Sequence, residues 1–195
     1  MTIRNLDKLF KPRSVAVIGA SNRQRSVGAT VMHNLLNGGF EGPVMPVNPN
    51  EKAVAGVLSY PSITDLPHSA DLAVICTPPP TVPEIVEQLC EHGTGAAVIL
   101  TAGLSRHKTE SGETLAETVF ATTKKYGLRV LGPNCLGLLV PGIGLNASFA
   151  HLPARPGKIA FISQSGAMCT AVLDWAEEHN VGFSHFVSLG ESIDV

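Results

Sequence analysis

The sequence predicts an α/β protein built on a doubly wound parallel sheet, followed by the start of a second α/β unit. Three observations predict it. First, a short apolar strand that stops at a polar, Gly- or Pro-rich turn occurs four times: Val15–Ile18 into Gly19-Ala20-Ser21-Asn22, Leu72–Ile75 into Cys76-Thr77-Pro78-Pro79, Ala97–Leu100 into Thr101-Ala102-Gly103, and Val130-Leu131 into Gly132-Pro133-Asn134-Cys135. Second, segments with helical spacing stand between these strands. Third, a chain of 195 residues that is 44% hydrophobic can bury a sizeable core. In a parallel sheet all four turns share the carboxyl edge, where open α/β sheets bind ligands. Four lining turns point to one long ligand in one long crevice.

Each element has a local cause. Residues 1–13 predict a short lead-in helix with Leu6, Leu9 and Phe10 on one face, ended by Pro12. Strand one is Ser14–Ile18. A helix runs from Gly28 to Leu36 and stops at Asn37-Gly38-Gly39. Strand two is Val44–Val47, closed by Asn48-Pro49. The turn-rich stretch Glu51–Ala70 holds one short strand near Gly56–Leu58. Strand three is Leu72–Cys76, and a helix begins near Pro83 and ends at His92-Gly93. Strand four is Ala96–Leu100. A helix spans Thr109–Tyr126, with Leu115, Val119 and Phe120 at helical spacing and Gly127 as its stop. Strand five is Arg129–Leu131. The alternation is that of a Rossmann-like sheet with helices on both faces.

Residues 136–157 break this rhythm with Pro141, Gly142, Gly144, Pro153, Pro156 and Gly157, and read as a linker or crossing segment. A new unit follows: strand Lys158–Ser163, turn Gln164-Ser165-Gly166, helix Ala167–His179 and strand Phe183–Ser188. One βαβ unit is not a sheet with its own core. The expectation is therefore domain one at 1–140, a linker at 141–157 and an incomplete second domain at 158–195. The chain would be the N-terminal part of a longer protein or a shortened piece of one.

Composition excludes several classes. The net charge of −2, with Lys and Arg scattered, offers no track for a nucleic-acid backbone. No apolar run approaches the roughly 20 residues of a membrane span, and the polar start, Met1–Arg13, is no signal peptide. The four cysteines, Cys76, Cys90, Cys135 and Cys169, form no CxxC pair, and no His stands at metal-ligand spacing from one, so no metal site is expected. They read as reduced thiols of a cytoplasmic protein. The chain also lacks G-x-x-x-x-G-K-[ST] and H-E-x-x-H, and its seven histidines are dispersed.

The turns carry the chemistry. A dinucleotide fingerprint needs G-x-G-x-x-G and an acid ending strand two. Here Gly19-Ala20-Ser21 lacks the second glycine, the helix glycine arrives only at Gly28, and strand two ends in Asn48-Pro49; both departures weigh against NAD. The loop Ser21, Asn22, Arg23, Arg25, Ser26 before a helix start is either an anion site or a surface loop with two solvated arginines, and the expectation is a phosphate-bearing ligand. Pro78-Pro79-Pro80 is either a rigid wall for a flat ring or amide chain, or a plain helix stop. Ala102 and Gly103 let a ligand approach the backbone. Asn134 offers a donor and an acceptor, while Cys135 is either a ligand-facing thiol or a buried structural one. Ser163, Gln164, Ser165 and Gly166 open a helix and either hold a phosphate or simply cap it.

Taken in order, Ser14–Ser21, Pro46-Val47-Asn48-Pro49, Gly132-Pro133-Asn134-Cys135-Leu136-Gly137 and Gly157–Gly166 resemble the N-terminal region of the NDP-forming acyl-CoA synthetases, relatives of the succinyl-CoA synthetase α subunit. Within that family, Gly144–Phe149 and Leu173-Asp174-Trp175-Ala176 look most like the synthetase-like part of protein lysine acetyltransferases that carry a GNAT domain. The resemblance implies a CoA-binding domain and then the opening of a flavodoxin-like ligase domain. The ligand it implies is coenzyme A or acetyl-CoA, a small-molecule CoA ester, with an ATP-grasp or GNAT domain or a homo-oligomer as further partners. A non-catalytic nucleotide-sensing module that binds NAD is the competing reading.

By the same resemblance, Gly19, Ser21, Asn22, Arg23 and Gly28 face the nucleotide end, and Asn48 and Pro49 flank the ribose. Thr77, Pro78, Ala102 and Gly103 line adenine and pantetheine, and Asn134 and Cys135 sit near the thiol. Ser163, Ser165 and Gly166 match a phosphate-holding helix start. The family's phosphorylated histidine has no counterpart in context here, so the chain alone is expected not to catalyse ligation.

Overall fold

The structure, a computed structural model, describes residues 3–194. Met1 and Thr2, which open the predicted lead-in segment, and Val195 lie outside the described residues. The lead-in is a short helix, α1 (Leu6–Phe10), that buries Leu9. Then follow β1 (Val15–Ile18), α2 (Val27–Asn37), β2 (Val44–Val47), β3 (Ala53–Val54), β4 (Val57–Leu58), β5 (Leu72–Ile75), α3 (Val82–Glu91), β6 (Ala96–Ile99), α4 (Leu115–Tyr126) and β7 (Arg129–Leu131).

The first sheet has five parallel strands in the order β2-β1-β5-β6-β7. Alternation along each strand divides the core. Val15, Val17, Leu72, Val74 and Val98 face one way and meet Val31, Met32 and Leu35 of α2. Ala16, Ile18, Ala73, Ile75 and Ile99 face the other way and meet Val86 and Leu89 of α3 and Val119 of α4. The three central strands, β1, β5 and β6, are therefore apolar throughout, as strands covered on both faces must be. Because β1 sits between β2 and β5, the strand order reverses there, and the carboxyl ends of the strands at such a reversal are where open α/β sheets bind ligands.

Three expectations are corrected. The helix predicted from Thr109 begins at Leu115. Thr114 and Glu117 form a reciprocal capping box that fixes its start, while Thr109–Glu113 closes a turn through Gly112 at φ +91°. The single strand expected near Gly56 is one arm of a small antiparallel hairpin, β3–β4. The stretch 136–157, expected as linker, contains a second hairpin: β8 (Gly137–Val140) and β9 (Leu145–Ser148), turned by Pro141–Ile143 and by Gly144 at φ +68°. Every residue of β8 and β9 is buried, so the segment shows no period-two alternation to betray it.

That hairpin belongs to a second, mixed sheet ordered β10-β11-β8-β9, where β10 (Pro156–Ser163) and β11 (Phe183–Ser188) run parallel and α5 (Gly166–Glu178) connects them. A small core of Leu136, Leu139, Cys169, Leu173, Phe183 and Phe186 holds it together. The hairpin is tied to the first unit from outside. Asn34 on α2 donates from Nδ2 to the carbonyls of Ser148 and Ala150, both at 2.9 Å. β10 lies at the sheet edge, with Ile159 and Ile162 exposed.

Candidate cofactor-binding site

The turn after β1 is set by two glycines. Gly19 adopts φ +84° and donates its N–H to Val47 O at 3.0 Å, which ties the ends of β1 and β2. Gly28, in the first turn of α2, is buried against it. Across the crevice, a Cβ on Gly19 would stand 2.9 Å from the Thr77 methyl, so the turns after β1 and β5 touch at the point where strand order reverses.

The predicted nucleotide-end residues divide by what their side chains already do. Asn48 donates to Ala20 O at 2.6 Å and accepts from Asn50 N–H at 2.9 Å, so its amide is engaged at both ends. Asn22 donates to Glu51 and to Ala53 O and accepts from Ala55 N–H at 3.1 Å, which pins the β3–β4 hairpin to the loop. Both amides shape the turn. Ser21 accepts the Arg23 N–H at 3.0 Å, and Ser26 caps α2 by accepting the Ala29 N–H at 3.2 Å. Arg23 and Arg25 are exposed, and no partner engages either guanidinium among the described residues. Pro49 and Pro78 are exposed on the rim.

The turns after β5, β6 and β7 are laced in series. Thr101 Oγ1 donates to Thr77 O at 2.7 Å, and Asn134 N–H donates to Thr101 O at 3.0 Å. They wall a cavity of about 560 Å³ lined by Cys76, Thr77, Leu100, Thr101, Ala102, Asn134, Cys135 and Leu136. Val27, Phe149, Gln164, Gly166, Ala167 and Thr170 close its far side. Five predicted residues therefore line one cavity, Thr77, Ala102, Asn134 and Cys135 on one side and Gly166 on the other. Gly19 lies behind Thr77, and Gly103, at φ +90°, lies beside Pro79. The remaining predicted residues do not line this cavity.

Two helices start at the cavity. Val27 opens α2, Gly166 and Ala167 open α5, and neither helix carries an acid in its first turn. The positive ends of two helix dipoles favour anionic groups there. Ser163 accepts the Ser165 N–H at 3.1 Å, and Ser165 caps α5 by accepting the Met168 N–H at 3.2 Å. Ser165 is therefore the N-cap of α5 and Ser163 closes the turn before it, and each hydroxyl still has an O–H to donate.

Cys135 is a structural thiol. It is buried, its Sγ donates toward Ile99 O at 3.5 Å, and burial pushes its pKa up to about 12. Burial likewise raises Cys76 to about 12. Neither forms a thiolate near neutral pH. Thr77 Oγ1 is different: it is buried and has no hydrogen-bond partner among the described residues. A buried hydroxyl without a partner is costly, and Thr77 lines the cavity.

The residues fit a long phosphate-bearing cofactor. Two arginines without a partner among the described residues stand in the loop before α2, and Val27 at the start of α2 lines a mostly apolar cavity with a few polar groups. Sequence reasoning missed Val27, Leu136, Phe149, Ala167 and Thr170. The last two follow Gly166 at one and four positions, a helical spacing that could have exposed them; Phe149 carried no local signal.

A doubly wound α/β domain with such an edge is a Rossmann-like domain, of the class in which ligands bind at the carboxyl ends of the strands. The chain belongs to the CoA-binding domain family: residues 13–141 match the family described as "CoA binding domain", and residues 156–195 match "Succinyl-CoA ligase like flavodoxin domain". The chain is similar to acetate–CoA ligase (ADP-forming) I of Archaeoglobus fulgidus, 42% identical over 95% of this chain and 27% of that protein. It is similar also to the α subunit of acetate–CoA ligase (ADP-forming) I of Pyrococcus furiosus, 36% identical over 98% of this chain and 42% of the subunit. Among solved structures, the dinucleotide-forming acetyl-coenzyme A synthetase 1 of Ca. Korarchaeum cryptofilum, in complex with phosphate and ADP, superposes with a TM-score of 0.90. It is 37% identical over 97% of this chain and 40% of that one. The chain thus spans well under half the length of these relatives. Its fold and domain order are those of the NDP-forming acyl-CoA synthetases.

Proposed function

We propose that the chain binds CoA or acetyl-CoA lengthwise along the carboxyl edge of its first sheet, as the CoA-binding part of an ADP-forming acyl-CoA ligase. The observation that carries this reading is that the start of α2, directly after the Arg23/Arg25 loop, also borders the cavity. The Arg23/Arg25 loop and the start of α2 meet the cofactor's phosphates, and the linked turns at Thr77, Ala102 and Asn134 follow its pantetheine arm into the cavity. Val27 belongs to both, because it opens α2 and lines the cavity. The start of α5, with Ser163, Ser165 and Gly166, receives a phosphate. Asn22, Asn48 and Gly28 shape the loop from behind, and Cys135 packs beneath the arm. The bound cofactor supplies the thiol; this chain's residues bind, orient and partly desolvate it.

The relatives named above are ligases, which favours a ligase parent over a protein lysine acetyltransferase. The engaged amide of Asn48 at the end of β2, where an acid would hold an NAD ribose, weighs against an NAD sensor. Four free thiols, and the lack of any described helix long and apolar enough to cross a membrane, are in keeping with a cytoplasmic setting. Further partners are the remaining domains of a longer ligase. Isothermal titration with CoA, acetyl-CoA, NAD and NADP tests the reading. Heat of binding with CoA or acetyl-CoA is expected; tight NAD binding with no CoA response overturns it.

A further inference from the structure

Beyond the cavity wall, one side chain joins two of its turns without belonging to either. Glu191 follows β11 in the second unit, yet its carboxylate reaches back to the first. Oε1 accepts from Asn134 Nδ2 at 3.3 Å, and Oε2 accepts from the Ser105 hydroxyl, two residues past Gly103. The seat of Glu191 is made by backbone. Its N–H donates to Pro133 O at 2.9 Å, and Ile193 N–H donates to Gly132 O at 3.2 Å. Gly190, at φ +62°, is pressed so closely that a Cβ there would lie 2.3 Å from Pro133 O. The segment therefore stays in place whatever side chain residue 191 carries.

The carboxylate settles which way the Asn134 amide points. A carboxylate only accepts, so Asn134 must turn its NH2 toward Glu191. Its Oδ1 is then the free end, and no donor engages it among the described residues. Asn134 itself sits at φ +56° and lines the cavity. A lone carbonyl oxygen on a mostly apolar wall is a receptor for an N–H donor. The arm of CoA carries two amide N–H groups and the nucleotide end lies outside the cavity, so the donor is an amide of the arm.

We propose that Glu191 is a positioning residue: by holding the Asn134 amide and Ser105 together, it presents Asn134 Oδ1 as the acceptor for a pantetheine amide N–H. This rests on the CoA-binding reading above. The role is selective for the arm and indifferent to the nucleotide.

The test is titration of wild type, Glu191→Ala and Asn134→Gly with CoA and with adenosine 3′,5′-bisphosphate, which lacks the arm. Glycine suits the positive φ of residue 134, so that variant keeps its backbone. Either substitution should weaken CoA about tenfold, the worth of one hydrogen bond, and leave the bisphosphate unchanged. The double variant should lose no more than Asn134→Gly alone, because the two residues act through one bond. Equal loss for both ligands, no loss for CoA, or additive losses in the double variant would overturn the role of Glu191. Failure of the wild type to bind CoA at all would instead overturn the parent reading.

Discussion

A Cβ added to Gly28 would lie 2.1 Å from the carbonyl oxygen of Gly19. The first turn of α2 thus rests directly on the bend that ends β1, and the anion-binding loop between them has no slack. Backbone cannot yield as a flexible side chain does. Gly28→Ala should cost about 1–3 kcal/mol of stability, as overpacking does, and weaken CoA binding as well. Gly166→Ala at the start of α5 meets nothing within 4 Å and should be close to neutral. Urea denaturation of the two variants checks the contrast.

Arg23 is exposed and its guanidinium has no protein partner among the described residues, so its removal should leave folding intact. Arg23→Ala should weaken CoA by roughly 1–3 kcal/mol, the range for a charge-assisted hydrogen bond. Added salt should weaken the wild type more than the variant, because one screened contact is already gone. Calorimetric titration at two ionic strengths measures both effects. An unchanged dissociation constant would count against a phosphate role for this loop.

Asp71 accepts from Lys8 Nζ at 2.7 Å and from both the backbone and the side chain of Arg13. Burial pushes its pKa up, but the bonds from Arg13 and Lys8 outweigh burial and hold it down at about 2. A folded value below the unfolded one means the stabilisation is complete above the ordinary carboxylate range and is lost as pH falls toward 2. With the Arg13 side chain largely exposed and screened, these three contacts together should contribute about 1 kcal/mol near neutral pH. Asp71→Asn should lower stability at pH 7 and flatten its decline between about pH 4 and 2, measured by thermal unfolding across that range.

Cys76 and Cys135 are raised to about 12 and Cys90 to about 11, in each case chiefly by burial. Thiolate, not thiol, reacts with alkylating reagents. Native protein treated with iodoacetamide at pH 8 should therefore show little labelling at these three positions by mass spectrometry, and full labelling in urea. Rapid native labelling of Cys135 would show that the thiol is neither buried nor bonded to Ile99.

The sequence by itself determined the parallel sheet. An apolar run that halts at Gly19, Cys76-Thr77, Thr101 or Gly132 is a local signal, and the capping and stopping residues around each helix are local too. It also determined which turns stand at one edge, because parallel strands leave no other choice. Helix α4 escaped by six residues because Thr109 offers as good a start as Thr114 until Glu117 completes the cap. The β8–β9 hairpin escaped because strands buried on every side lose their alternation.

Only the tertiary structure decided which polar groups face the crevice and which hold it together. Asn22, Asn48 and Asn134 read alike in a sequence. The first two have both amide ends engaged by neighbouring turns, and the third keeps an oxygen free because Glu191, 57 residues away, takes its other end. Hydrogen-bond saturation depends on partners brought from distant segments, so no local pattern encodes it. That is why the edge at which the turns gather could be read from the chain while the hydrogen-bond partners of their residues could not.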